Sequence, residues 1–298
     1  DGAEVAGAGL RPPTNPLDAD TDADGLSDQV ESNTGIFVGA LDTGSDPTVA
    51  DSDADGVLDG REATLGNDPS SAASVPLRIM PVGDSITAGY TSGSEWDVPF
   101  NFGYRSGLYT HLNNAGYRFQ FVGSSPEPWN NKFGDPTQGG TVTPVFDLRP
   151  LGQDHHEGYG GTRISYHEEN IVARMTAAKP DVILLMIGIN GISTESPSQL
   201  NTLVNTIVTA EPDVHLIVAQ ITPRATFNQA LWDYNVYIRD TLVPTYAGNG
   251  HKVTTVDLYS LFLTDPEDPT SIGSGLHSNG INHPSTALYE EMAQAWFH

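Results

Sequence analysis

The chain contains no cysteine, which removes disulfides, thiolate metal ligands and a cysteine nucleophile together. It is also poor in positive charge. Thirteen Lys and Arg stand against 38 Asp and Glu, for a net charge of −25. A phosphate backbone is bound by clustered basic side chains, so nucleic acid is not an expected partner, and an anionic membrane is disfavoured for the same reason. Long apolar runs are missing as well. The longest, VILLMIGI at 182–189, is far short of the ~20 residues a membrane-spanning helix needs. No leader is visible ahead of Asp1, with the expectation that any leader has been cut off or lies outside this sequence. Its 298 residues, 38% of them hydrophobic, suffice for one full-sized globular domain plus a small one.

What is present is unevenly spread. Residues 1–75 hold 16 acidic side chains and 2 basic ones. Such a block is either a solvated disordered tail or a cation-binding module, and spacing decides between them. DTDADGLSDQVE (20–31) and DSDADGVLDGRE (51–62) both fit the twelve-residue pattern D-x-[DN]-x-[DN]-G-x5-E, 31 residues apart. Calcium takes about six to eight oxygens. Asp20, Asp22 and Asp24 present alternate carboxylates, Gly25 permits the sharp turn, and the Leu26 carbonyl supplies the seventh-position ligand. Asp28 contributes directly or through water, and Glu31 closes the shell. Asp51, Asp53, Asp55, the Val57 carbonyl, Asp59 and Glu62 repeat the scheme around Gly56. Without a cation these carboxylates would repel one another strongly. The block resembles the thrombospondin type 3-like, EF-hand-like repeats of bacterial exported proteins. The expectation is a structural Ca2+ module at 1–75, with metal binding supplying folding energy, in a chain that works outside the cell.

From Leu77 the periodicity changes. LRIMPVG (77–83), RFQFVG (118–123), DVILLMIG (181–188), HLIVAQI (215–221) and HKVTTVDL (251–258) read as buried strands. Between them lie helix-like stretches, the last a long one from about Thr226 to Tyr246. This alternation predicts an α/β fold, a three-layer α/β/α sandwich around a parallel sheet, over 76–298. Ligands of such sheets bind at the carboxyl ends of the strands.

Chemistry is therefore sought where each strand runs out. The first ends in VGDSIT, at Ser85. HEGYGGTRI carries Gly161, whose backbone can approach a ligand closely. IGIN carries Asn190, and NHPS carries His283. Each alone has a plain structural explanation: a capping serine, a glycine turn, a capping amide, a packed histidine. Ser, Gly, Asn and His in that order, on a parallel sheet, resemble the SGNH (GDSL) hydrolases, of flavodoxin-like architecture. Within them, IMPVGDSITAGY, YRSGLYTHLNNAGYRFQFVGS and HEGYGGTRI resemble carbohydrate esterase family 3, which includes acetylxylan esterases. The resemblance implies that Ser85 attacks an ester carbonyl and that His283 serves as base and then acid. The N–H groups of Ser85 and Gly161 and the Asn190 amide would hold the oxyanion. It implies no metal or organic cofactor for catalysis, and an acetylated polysaccharide or oligosaccharide as substrate.

Two positions depart from the family pattern. G-x-N-D reads G-I-N-G, with Gly191 for Asp. D-x-x-H has Gly280 in place of the acid. Three groups remain to orient His283: the Gly280 carbonyl, which is the favoured one, the Asn279 side chain, or a distant acid such as Asp265 or Asp268. His277 is a rival base. Trp96, Asp97, Trp129, Asn130, Asn131, Phe133 and Phe146 lie on long polar segments suited to sugar recognition, or equally to pinning those segments down. Two other functions compete with the acetylesterase: a broad short-chain esterase or lysophospholipase, and a calcium-dependent polysaccharide-binding pseudoenzyme.

Overall fold

A computed structural model of the chain describes residues 6–55, 57–71, 76–91, 102–126 and 148–298. The chain divides into two compact units, Asp1–Leu77 and Arg78–His298.

The first unit is built on turns. Among its described residues the buried aliphatic side chains are Val57, Ala63 and the prolines Pro47 and Pro69, whereas Asp24, Asp28, Glu31, Asp59 and Glu62 are all buried. Apolar burial on that scale cannot hold a unit of this size. The two acidic loops repeat one backbone form. Ala23 and Ala54 take φ of 61° and 60°, and the Leu26 and Val57 amides donate to the Asp24 and Asp55 carboxylates at 2.7 and 2.9 Å. Helix α1 (Asp59–Leu65) follows the second loop and stops at Gly66, φ 79°. The first loop continues into turns, so the helix of an EF-hand-like repeat follows only one loop among the described residues.

The second unit is built on a seven-stranded sheet. Its strands are β1 (Leu77–Gly83), β2 (Phe119–Phe121), β3 (Ser125–Pro126), β4 (His155–Gly158), β5 (Val182–Met186), β6 (His215–Gln220) and β7 (Val253–Asp257). The order is β3-β4-β1-β5-β6-β7, with β2 also on β1. All pairs from β4 to β7 are parallel, and β3 pairs antiparallel with β4. β4 joins β1 only at Val82 and Gly83, just beyond Pro81, whose nitrogen has no proton to give to a ladder. β1, β5 and β6 are apolar runs buried on both faces, as covered parallel strands should be.

Helices α2 (Ser85–Ala88), α3 (Tyr104–Asn114), α4 (Ile164–Ala178), α5 (Ser196–Ala210), α6 (Gln229–Tyr237), α7 (Val243–Gly248) and α8 (Thr286–Phe297) complete the unit. The chain moves one way along the sheet from β1 to β4 and the other way from β4 to β7. Right-handed crossovers then put α3 on the opposite face from α4 and α5, and α3 packs against α8 while α4 packs against α5. This is the expected α/β/α sandwich. The stretch read as one helix from Thr226 to Tyr246 is α6 and α7 joined by a π-turn at Ile238–Leu242. Pro244 sits in the first turn of α7, and a wider turn just ahead accommodates its missing N–H.

Candidate active site and acidic loops

The direction of the sheet reverses at β1, and β1 leads directly into Ser85. Gly83 is glycine of necessity. A Cβ there would lie 2.3 Å from both the Met186 carbonyl and Thr87 Oγ1. Asp84 caps α2, accepting the Ile86 N–H at 3.0 Å. Burial pushes the Asp84 carboxyl up to about 7, against the lowering effect of the backbone amides it accepts.

Ser85 Oγ stands 2.9 Å from His283 Nε2, and both residues are buried. They are 198 positions apart in sequence. His283 does not end a strand. It lies in the loop between β7 and α8, where an isolated antiparallel bridge joins His277 to Pro284. That departs from the expected strand-end placement, but the loop is held tightly. Asn279 Oδ1 accepts the N–H groups of Ile281, Asn282 and His283, each at 2.9 Å. Ser278 N–H donates to the His283 carbonyl at 2.9 Å, and Ser278 Oγ reaches the Thr91 carbonyl at 2.8 Å. The Tyr90 ring meets the imidazole edge-on at 5.8 Å.

These contacts bear on the expected orienting groups. Gly280 takes φ 67°, and its N–H donates to the His277 carbonyl, so it makes the turn. The Asn279 oxygen is engaged by main-chain amides. The Asp265 and Asp268 carboxylates receive N–H groups of their own loop, from Glu267 and Thr270. The rival base has another task. His277 Nε2 is 2.9 Å from the Pro223 carbonyl, so that nitrogen carries the proton, and its ring lies on Phe262.

Gly161 follows β4, a strand that the glycine-rich reading of HEGYGG missed. Its φ is 76°. The turn is tied to β1 through the Gly83 carbonyl, which accepts from Tyr159 N–H at 3.2 Å and faces His167 Nε2 at 2.9 Å. Gly158 abuts α2, where an added Cβ would meet the Ala88 nitrogen at 2.8 Å. Asn190 lies in the loop between β5 and α5, and its Nδ2 donates to the Thr162 carbonyl at 3.1 Å. An amide nitrogen has two protons, which leaves the second for a ligand. Tyr234 and Arg224 brace this strand end through the Ile187 and Ile189 carbonyls. Gly191, at φ 75°, has the Arg163 guanidinium where a Cβ would go. Asn279 was one of the expected orienting groups for the imidazole; its hold on the main-chain amides around His283 was not foreseen, and the Asn-Gly pair at 279–280 is the signal that marks it as a turn former. Trp96, Asp97, Trp129, Asn130, Asn131, Phe133, Phe146 and Gly56 lie outside the described residues.

In the first unit, Asp20, Asp22 and Asp24 bring one carboxylate oxygen each within 4.8 Å of one another, and Asp51, Asp53 and Asp55 do the same. Asp53 Oδ2 and both oxygens of Asp22 are buried without a hydrogen-bond partner. Burial first, then neighbouring acids, pushes Asp22 up to about 6 and Glu31 up to about 8. All-oxygen donors left unpaired in this way suit a hard cation such as calcium. Leu26 and Val57 occupy the turn positions expected of carbonyl donors, and Asp28 and Asp59 each close their own loop through Thr21 and Ser52.

A family model for the GDSL-like lipases and acylhydrolases matches residues 79–296. No curated protein matches the chain. Among solved structures, a family 3 carbohydrate esterase of Clostridium thermocellum is 29% identical over 75% of this chain and 94% of its own, with a TM-score of 0.55. A family 3 carbohydrate esterase of Talaromyces cellulolyticus is 19% identical over 74% and 94%, at 0.50. A serine-to-alanine mutant of an acetyl esterase, solved with an acetate ion, is 19% identical over 74% and 93%, at 0.52. The last two likenesses are of fold.

Proposed function

The chain belongs to the GDSL-like lipase and acylhydrolase family, and from that premise we propose that it is a serine esterase that removes O-acetyl groups from carbohydrate. The observation that carries the reading is the 2.9 Å contact between Ser85 Oγ and His283 Nε2 in a buried setting. The similarity to the Clostridium thermocellum esterase supports the acetyl and carbohydrate part.

The chemistry runs on these residues. His283 Nε2 takes the Ser85 hydroxyl proton as Oγ attacks the acetyl carbonyl. The carbonyl oxygen becomes an oxyanion, held by the Ser85 and Gly161 N–H groups and the free Asn190 amide proton. The C–O bond to the sugar breaks, and the sugar oxygen leaves with the proton from His283. Water then attacks the acetyl group on Ser85, His283 again taking the proton, and acetate departs. The acidic loops of the first unit bind Ca2+ in this proposal, stabilise that unit, and fit work outside the cell. No helix among the described residues is long and apolar enough to cross a membrane.

Acetate release from acetylated xylan and from p-nitrophenyl acetate tests the reading. Wild type is expected to act on both, and Ser85→Ala and His283→Ala to lose about a thousandfold or more. Activity on p-nitrophenyl esters of long acyl chains, with none on acetylated xylan, would replace the carbohydrate reading with a general esterase.

A further inference from the structure

We propose that the two acidic loops share a composite cation site: Asp59, from the second loop, is a ligand of the cation held by the first. The inference rests on the calcium reading above and changes its architecture. Asp24, Glu31 and Asp59 each bring a carboxylate oxygen within 4.8 Å of the others. They are 6%, 0% and 0% exposed. Asp24 belongs at the same time to the first-loop trio with Asp20 and Asp22, so the composite cluster is continuous with that loop's own donors.

A second observation points to a ligand. Glu31 is fully buried, and its Oε1 takes the Ser45 hydroxyl at 3.1 Å, but its Oε2 has no partner. A buried carboxylate with an unpaired oxygen, beside two further carboxylates, is costly unless a cation joins them. The backbone also brings the loops together. Gly60 N–H donates to Asp24 Oδ2 at 2.8 Å. A Cβ at Gly60 would sit 2.3 Å from the Asp24 carbonyl oxygen, so only glycine admits this approach.

The ninth-position acids differ in consequence. Asp28 spends its oxygens on the Thr21 amide and hydroxyl, at 2.8 and 2.9 Å, and belongs to none of the carboxylate clusters. Asp59 makes the same pair of bonds to Ser52, at 2.7 and 2.6 Å, and still faces Asp24 and Glu31. A carboxylate has about four lone-pair sites, so Asp59 can hold Ser52 and a cation together. The donors are all oxygen, which selects a hard divalent ion, calcium above softer metals. Filling the first loop therefore requires the second loop in place.

The test is calcium titration calorimetry on the full chain after chelator stripping. Asp51→Asn with Asp53→Asn silences the second loop's own trio and leaves one site. In that background, Asp59→Asn or Gly60→Ala is expected to weaken the remaining binding at least tenfold. Gly60→Ala keeps every carboxylate, so its effect is not one of lost charge. In the wild-type background Gly60→Ala alone is expected to weaken the tightest step tenfold, which keeps the test open if the background variant does not fold. Unchanged affinity in these variants overturns the composite site while calcium binding itself stands. Failure of the wild type to bind calcium overturns the calcium reading and this inference with it.

Discussion

Asn279 Oδ1 receives three main-chain protons, from Ile281, Asn282 and His283. No acid stands three positions before the histidine, yet the backbone that carries the imidazole is fixed. In the proposed mechanism Asn279 is thus a positioning residue, acting through His283 and not on substrate. Asn279→Ala is expected to lower kcat about tenfold to a hundredfold with KM nearly unchanged, since small misplacements of a catalytic group are costly. Asn279→Asp keeps the acceptor and should recover most of the loss. Steady-state kinetics of both variants checks this; a raised KM with normal kcat would contradict it. At this scale the meeting of Ser85 with His283 was legible because their motifs are short and ordered along the chain. The role of Asn279 was not, because a side chain that binds its own turn leaves the same Asn-Gly signature as any tight turn. Gly280, read as the carbonyl that stands in for the missing acid, also forms the turn, at φ 67°.

Among elements, the short helix α2 is where fold and chemistry meet. Arg105, fully buried on α3, donates to the Thr87 and Ala88 carbonyls at its far end, at 3.2 and 3.3 Å. Asp84 caps its start. A carboxyl whose folded pKa is raised above its unfolded value binds its proton more tightly in the folded state. Stability from this group is therefore greatest at low pH and falls as pH rises from about 4 to about 7. Asp84→Asn keeps an oxygen acceptor for the Ile86 amide and removes the titration. Denaturant midpoints measured across that range should fall in wild type and stay flatter in the variant; parallel curves would contradict the assignment. The main strands were legible from their apolar runs. The β3–β4 pair was not, because HHEG is short and polar and its partner is two residues long. The break in the long helix was not either, since a π-turn keeps helical periodicity on both sides.

Across the whole molecule, the two units differ in what holds them. The sheet unit buries a large apolar core, while the first unit buries acids. Chelation is expected to lower the melting temperature of the first unit by several degrees or more, by the loss of binding free energy linked to folding. The initial rate of ester hydrolysis, measured at a temperature where the sheet unit stays folded, should change far less. Calorimetry with and without chelator, beside initial rates, checks this, and an equal loss of rate would contradict it. The α/β architecture was readable because burial imposes periodicity on strands and helices. The joining of the acidic loops was not, because contacts between loops leave no period in the sequence.

The central claim is that the reaction passes through an acetyl ester on Ser85. Rapid acid quenching of the enzyme with p-nitrophenyl acetate, followed by peptide mass spectrometry, tests it most directly. The account predicts one added acetyl group on the Ser85 peptide of wild type, absent from Ser85→Ala. Sustained acetate release with no acetylated Ser85, or full activity in Ser85→Ala, would contradict it.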